Sequence, residues 1–164
     1  MNFKILSKPI EAHEIEWRVQ SAKNGKTTIV PYIQARAVMN RFDEAFTPAG
    51  WKCSYNTWKD RGVLCSLSVK VGDEWITKQD GADDTNIEPT KGGISDSLKR
   101  AATCWGLSRG LYDYPLVQLE GELRFVPSQV KSRLNEMTRL INEGAFNQEY
   151  VLIKASRWST SLTN

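Results

Sequence analysis

Three β-rich segments separated by very short breaks constrain this chain more than any other feature. WKCSYNTWK (51–59), VLCSLSVKV (63–71) and EWITKQD (74–80) are rich in β-branched and aromatic residues, with DRG (60–62) and Gly72-Asp73 between them. Breaks of this length favour antiparallel neighbours, so the segments predict a three-stranded meander. Upstream, EIEWRVQ (14–20) alternates as a strand does, KNGK (23–26) places Asn24-Gly25 at a turn, and TTIVPYI (27–33) returns as a second strand. That pattern is a β-hairpin. Between hairpin and meander, Ala35, Val38, Met39, Phe42 and Phe46 recur at helical spacing. Residues 33–47 therefore read as an amphipathic helix that stops before Pro48 and Gly50.

A longer helix is expected after the meander, from near Glu88 to Trp105, with Pro89 tolerable in its first turn and Gly106 placed to end it. In KGGISDSLKRAATCWG (91–106), the apolar stripe is Ile94, Leu98, Ala101 and Trp105. Lys99 and Arg100 follow that stripe, and a 3.6-residue period turns both away from the core. Farther on, Ser128 reads as the N-cap of another helix, with Val130, Leu134, Met137 and Ile141 on one face. Beyond Gly144 the chain becomes polar and then Ser/Thr-rich. The expected fold class is α+β: a β-hairpin and a three-stranded antiparallel meander packed with helices. A single core domain is expected over residues 1–126, followed by a C-terminal helix (127–144) and a partly disordered tail (145–164).

Composition narrows the chemistry. With 40% hydrophobic and 25% charged residues among 164, the chain can bury a real core in one domain. A net charge of +3 permits a nucleic-acid partner without demanding one. Cys53, Cys65 and Cys104 include no CxxC pair and are odd in number, which argues against a disulfide framework and for a reducing cytoplasm. No long apolar run suggests a membrane span, and MNFKILSKPI (1–10) lacks the apolar core of a signal peptide.

Catalysis finds little support. His13 is the only histidine and lies in a polar stretch, which leaves serine or cysteine triads without a base. Gly25-Lys26-Thr27 echoes the end of a phosphate-binding loop, but Gln20 stands where that motif needs glycine and a strand follows where it needs a helix. Asp80, Asp83, Asp84 and Glu88 read as a loop entering a helix whose N-terminal dipole favours carboxylates, rather than as a metal site. No metal or cofactor is expected. Basic residues do recur at turns and element edges: Arg18, Lys23, Lys26, Lys59, Arg61, Lys91, Lys99 and Arg100, with Trp17, Trp58 and Trp105 near several of them. Cations beside aromatics form the general pattern of a single-strand binder. Solvated charge and core tryptophans are the plainer reading of the same residues.

Three blocks add a resemblance. YIQARAVMNRFDEAFTPAGW (32–51), VLCSLSVKV with EWITKQDGADDT (63–71 and 74–85), and KGGISDSLKRAATCWGLSRGLYD (91–113) resemble the Rad fifty-two family of single-strand annealing proteins, closest to its bacterial and phage members. The similarity runs from about Glu14 to Pro115, and the glycine pair, Ser-Asp, Leu-Lys-Arg-Ala and Trp-Gly block is its most specific part. It implies an ATP-independent, ring-forming protein of homologous recombination that holds single-stranded DNA in a basic groove and pairs it with a complement. Lys99 and Arg100 match the pair that lines the inner groove in that family. Arg18 matches a strand arginine facing the same groove, and Lys91 an earlier lysine. Lys59, with Arg61 beside it, falls near a basic position of a second, outer DNA path. One further groove arginine of the eukaryotic member is Thr103 here. The implied partners are single-stranded DNA, other copies of the chain, and a host single-strand-binding protein or recombinase. The extension that recruits the latter two in the eukaryotic member has no counterpart in this sequence. The implied setting is the cytoplasm of a bacterial or phage-infected cell. Binding and protecting DNA 3′ ends without pairing strands is the alternative.

Overall fold

The computed structural model describes residues 1–59, 62–83 and 89–158, without the side chains of 89–91. In chain order the elements are β1 (Ile15–Lys23), β2 (Lys26–Ile33), α1 (Ala35–Phe46), β3 (Trp51–Trp58), β4 (Gly62–Val71), β5 (Glu74–Asp83), α2 (Pro89–Cys104), β6 (Leu116–Glu120), α3 (Lys131–Asn142) and β7 (Tyr150–Ile153). The fold class is α+β. These elements form two compact units, one from residues 1–8 and 33–109, the other from 9–32 and 110–164.

The first unit holds the meander. β3, β4 and β5 pair antiparallel in sequence order, with Cys53 opposite Leu67 and Leu67 opposite Lys78. One sheet face carries Cys65, Leu67 and Val69, all fully buried, and α2 packs on β4 and β5. The other face presents Lys52, Ser54, Lys70 and Trp75 to solvent. α1 buries Val38, Phe42 and Phe46 of the stripe expected from its periodicity, with Ala45 beside them, while Ala35 is half-buried and Met39 is exposed. Phe42 lies 5.6 Å from Phe46 and 5.5 Å from Trp51, ring centre to ring centre. The Trp51 indole donates to Asp43 at 2.7 Å, so the first strand of the meander is tied to the helix before it. α1 ends through Thr47, at φ +65°, and Gly50 returns the chain so closely that a Cβ there would lie 1.9 Å from the Phe46 carbonyl oxygen. Only glycine fits that approach.

The second unit holds a four-stranded sheet in the order β1-β2-β6-β7. The hairpin turn has Asn24 at φ +55° and Gly25 at φ +71°, the two left-handed positions of a tight two-residue loop. β6 pairs antiparallel with β2, and β7 pairs parallel with β6. A parallel neighbour needs a crossover, and α3 supplies it. Ile29, Val117, Leu119, Val130, Leu134, Met137, Val151 and Ile153 form one core between the sheet and α3. Thr27 is fully buried, and its hydroxyl donates to Gly121 O at 2.7 Å and accepts from Leu123 N at 2.8 Å.

Three differences from the sequence reading stand out. β6 and β7 extend the hairpin into a sheet, and β7 lies within the stretch read as a tail. Ser128 is not the N-cap of α3: Pro127 leads into a 3₁₀ turn over Ser128–Val130, and α3 begins at Lys131 without a side-chain cap. Lys99 does not turn away from the core. Its side chain is 8% exposed. At 100° per residue, the buried Ser97, Leu98, Lys99, Ala101 and Ala102 span about 200° of the circumference of α2. The apolar stripe marks only the middle of that arc.

Candidate nucleic-acid interface

α2 ends in a pattern that the backbone dictates. Leu107 N donates to Ala102 O at 3.2 Å and Gly106 N to Thr103 O at 3.0 Å, with Gly106 at φ +100°. This is the Schellman motif, which closes a helix with a left-handed glycine and a buried apolar residue after it, here Leu107. The carbonyl of Cys104 takes no part in those two bonds. It accepts instead from Lys78 Nζ at 2.8 Å and from Arg109 Nη2 at 3.2 Å. Arg109 Nε donates to Thr103 O at 2.8 Å. Cations suit this end of the helix, where the backbone dipoles leave partial negative charge. Lys78 also lies over the Trp105 ring, 4.6 Å from its centre, and the Trp105 indole is anchored on Leu67 O at 3.1 Å.

The Lys-Arg pair divides here. The Lys99 ammonium lies 2.7 Å from Asp96, one turn back on α2. Arg100 is on the exposed side, with its guanidinium 3.1 Å from Asp80 of β5 and a side chain 55% exposed. Asp80 also accepts from Gly81 N at 2.7 Å, which fixes the carboxylate that orients Arg100. Lys91 falls in the first turns of α2. Lys59 follows β3 in the left-handed conformation, φ +55°, and is exposed beside Trp58. Arg61 lies outside the described residues, as do Asp84 and Glu88.

In the second unit Arg18 projects from β1, 3.2 Å from Glu16 and 5.4 Å from the centre of the Tyr32 ring on β2. A second cation meets an aromatic where Lys26 lies 5.9 Å from the centre of the Tyr150 ring and donates to its hydroxyl at 3.4 Å. Tyr150 donates to Gln118 Oε1 at 3.2 Å, and Gln118 donates to Thr28 at 3.0 Å, so the open face of this sheet is hydrogen-bonded across three strands. Lys52 is likewise held 4.2 Å from the centre of Trp75, and Lys78 over Trp105 makes a fourth cation–aromatic pair among the described residues. Exposed cations resting on ring faces are suited to polyanions with stacking bases.

The sequence reading missed Lys78 and Arg109. A basic residue three positions after a helix-ending glycine is a legible signal for Arg109. Lys78 arrives from a separate strand and has none. Other titratable groups are structural. Burial, with Cys53 alongside, pushes the Cys65 thiol up to about 12 and raises the Tyr55 hydroxyl well above its ordinary range. On α3, Arg139 forks between Glu136 and Glu143 at 2.8 and 2.6 Å, and the hydrogen bonds hold the Glu136 carboxyl below its usual range. Among the described residues, no group of three or more His, Cys, Asp or Glu is placed to hold a metal ion. No described helix is long and apolar enough to cross a membrane.

Comparison with known proteins places the chain. Two proteins called single-stranded DNA-binding protein DdrA are similar to it. The one from Deinococcus radiodurans is 28% identical over 116 residues, covering 68% of this chain and 55% of the relative. The one from Deinococcus deserti is 29% identical over 117 residues, covering 68% of this chain and 57% of the relative. The chain thus spans little more than half the length of these curated relatives. The family model described as Rad52/22 family double-strand break repair protein matches residues 3–63 and 59–129, a stretch that takes in β1 through β6. The chain belongs to the Rad52/22 family of double-strand break repair proteins.

Proposed function

We propose that the protein binds single-stranded DNA without sequence preference and anneals complementary strands during recombination and repair, without ATP, as a closed ring of identical subunits. The observation that carries this reading is Arg100. It is a half-exposed guanidinium on a rigid helix, held in place by a surface carboxylate that a phosphate can replace. Arg18, Lys59, Arg61 and Lys91 are proposed as further backbone contacts. Guanidinium groups bridge phosphate oxygens in pairs and lysines act as point charges, so such contacts hold a strand without reading it. That suits an annealing protein, which must accept every sequence. Lys99 serves through its pair with Asp96, which fixes the turn of α2 from which Arg100 projects.

A few cations per subunit bind weakly, and many subunits along one strand multiply them. A head-to-tail contact that closes yields a ring. The name of the two relatives states single-stranded DNA binding and not annealing, which is equally compatible with a second reading, in which the protein binds and shields DNA ends without pairing strands. Mixing labelled complementary oligonucleotides with the protein, with and without ATP and Mg²⁺, separates the two. Faster duplex formation independent of both supports annealing. Protection from exonuclease with no gain in pairing supports shielding. A protein that stays monomeric with DNA and leaves the pairing rate unchanged refutes the annealing ring.

A further inference from the structure

We infer that Lys78 and Arg109, with Arg100, form a phosphate-binding cradle at the C-terminal end of α2. The inference rests on the single-strand reading and assigns it a contact that neither the family pattern nor the sequence motifs include.

The geometry begins with one carbonyl. Lys78 Nζ and Arg109 Nη2 reach the same Cys104 oxygen, at 2.8 and 3.2 Å, so the two heads lie within about 6 Å of each other. Like charges at that separation repel, and what holds them is a neutral oxygen at the negative end of a helix. Neither is paired to a carboxylate among the described residues. Lys78 has the carbonyl and the Trp105 ring, while Arg109 has the Thr103 and Cys104 carbonyls. Arg100 completes the group. Its partner Asp80 leaves β5 on the same face as Lys78, two residues on, which is about 7 Å along a strand. Three positive charges thus face one carboxylate and roughly half a negative charge from the helix end, leaving the patch at about +1.5.

The backbone holds the patch in shape. Gly106 and Ser108 are both left-handed, at φ +100° and +62°, and turn the chain back so that Arg109 lies across the helix end. Trp105 is pinned by its indole hydrogen bond and cannot swing away from Lys78. A phosphodiester arriving here meets the Lys78 and Arg109 heads already converged. Arg109 bonds carbonyls through Nε and Nη2, which leaves its remaining N–H groups for a phosphate oxygen. The ligand class is the sugar–phosphate backbone, since every donor is cationic and none reads a base.

The test uses the full chain with Lys78→Gln, Arg109→Gln and both together. Glutamine removes the charge and keeps an amide donor on a shorter side chain. The probes are a fluorescent oligothymidylate and an abasic phosphodiester strand of equal length, titrated over a range of salt. Each single variant should weaken both strands alike and flatten the log–log salt slope by about 0.7 for every subunit the strand crosses, and the double variant by about 1.4. Arg109→Lys should keep the slope. Steep wild-type binding with unchanged slopes in all variants would overturn the cradle while leaving single-strand binding intact. So would a fall in Tm for Arg109→Gln with the slope unchanged, because the arginine would then be a helix cap only. Loss restricted to the oligothymidylate would overturn the phosphate assignment. A wild type that binds neither strand would overturn the single-strand reading and the cradle with it.

Discussion

Replacing Lys99 and Arg100 separately should give opposite phenotypes, although the residues are adjacent. Lys99 is 8% exposed and its ammonium lies 2.7 Å from Asp96, which is 30% exposed. Lys99→Ala leaves that carboxylate without its cation. Breaking a fully buried pair costs about 3–5 kcal/mol. Water reaches Asp96, so the expected loss is about 1.5–3 kcal/mol, as for one hydrogen bond to a charged group. In a chain of this length each kcal/mol moves Tm by about 2–4 °C, which predicts a fall of roughly 3–12 °C. Arg100 and Asp80 are 55% and 28% exposed and 3.1 Å apart. A pair in that setting contributes about 0–1 kcal/mol, so Arg100→Ala should move Tm by less than about 4 °C. Its effect should appear in binding instead, as a salt slope flatter by about 0.7 for each subunit the strand crosses. Thermal unfolding followed by circular dichroism, with anisotropy titrations of a labelled oligothymidylate, measures both. The reasoning fails if Lys99→Ala melts with the wild type, or if Arg100→Ala costs more stability than Lys99→Ala.

The remaining predictions concern the meander unit. Gly50→Ala would place a Cβ 1.9 Å from the Phe46 carbonyl oxygen, a backbone atom that cannot step aside, whereas a Cβ on Gly72 meets nothing within 4 Å. Urea denaturation should show a loss above about 3 kcal/mol for Gly50→Ala and roughly 1–2 kcal/mol for Gly72→Ala, where only the left-handed φ is penalised; equal losses would contradict the close approach. Cys65 is fully buried and its thiol is pushed up to about 12. Iodoacetamide at pH 8 should therefore modify Cys53 and Cys104 of the folded protein and spare Cys65, as read by peptide mass spectrometry. The sign for stability follows. The neutral thiol is favoured in the folded state, so its contribution is full below the unfolded value near 8.5 and is lost as pH rises from there through about 12.

How much of this was legible depends on the range of the interactions. The meander and hairpin were readable because their pairings are local: DRG, Gly72-Asp73 and Asn24-Gly25 leave neighbouring segments little choice. α1 was readable because Phe42 and Phe46 mark one stripe and Pro48 ends it. β6 and β7 were not. Each is short, and β7 depends on a parallel partner some 30 residues away across α3, which no local pattern encodes. Lys99 shows a second limit. Periodicity locates the centre of a buried face but not its width, and α2 packs against β4, β5 and α1 together. The proposed interface divides in the same way. Arg100 and Arg18 could be found by motif, while the cradle residue Lys78 acquires its setting only when β5 meets the end of α2.

The order in which the two units draw on the chain has a consequence for synthesis. The chain passes between them at residues 8/9, 32/33 and 109/110. A ribosome releases every residue of the meander unit by Arg109, but the hairpin, made early, lacks its neighbour β6 until residues 116–120 emerge. The roughly 80 residues between Ile33 and Leu116 take about 4–17 s at ~5–20 residues per second. During that interval Ile29 and the unpaired edge of β2 have no cover, and a nascent hairpin of this kind is open to pairing with another chain. Crowded polysomes would make such encounters frequent. Lys26, which pairs with Glu120 once β6 is made, is the charge that this edge carries meanwhile, and a lysine on an open edge disfavours pairing with another chain.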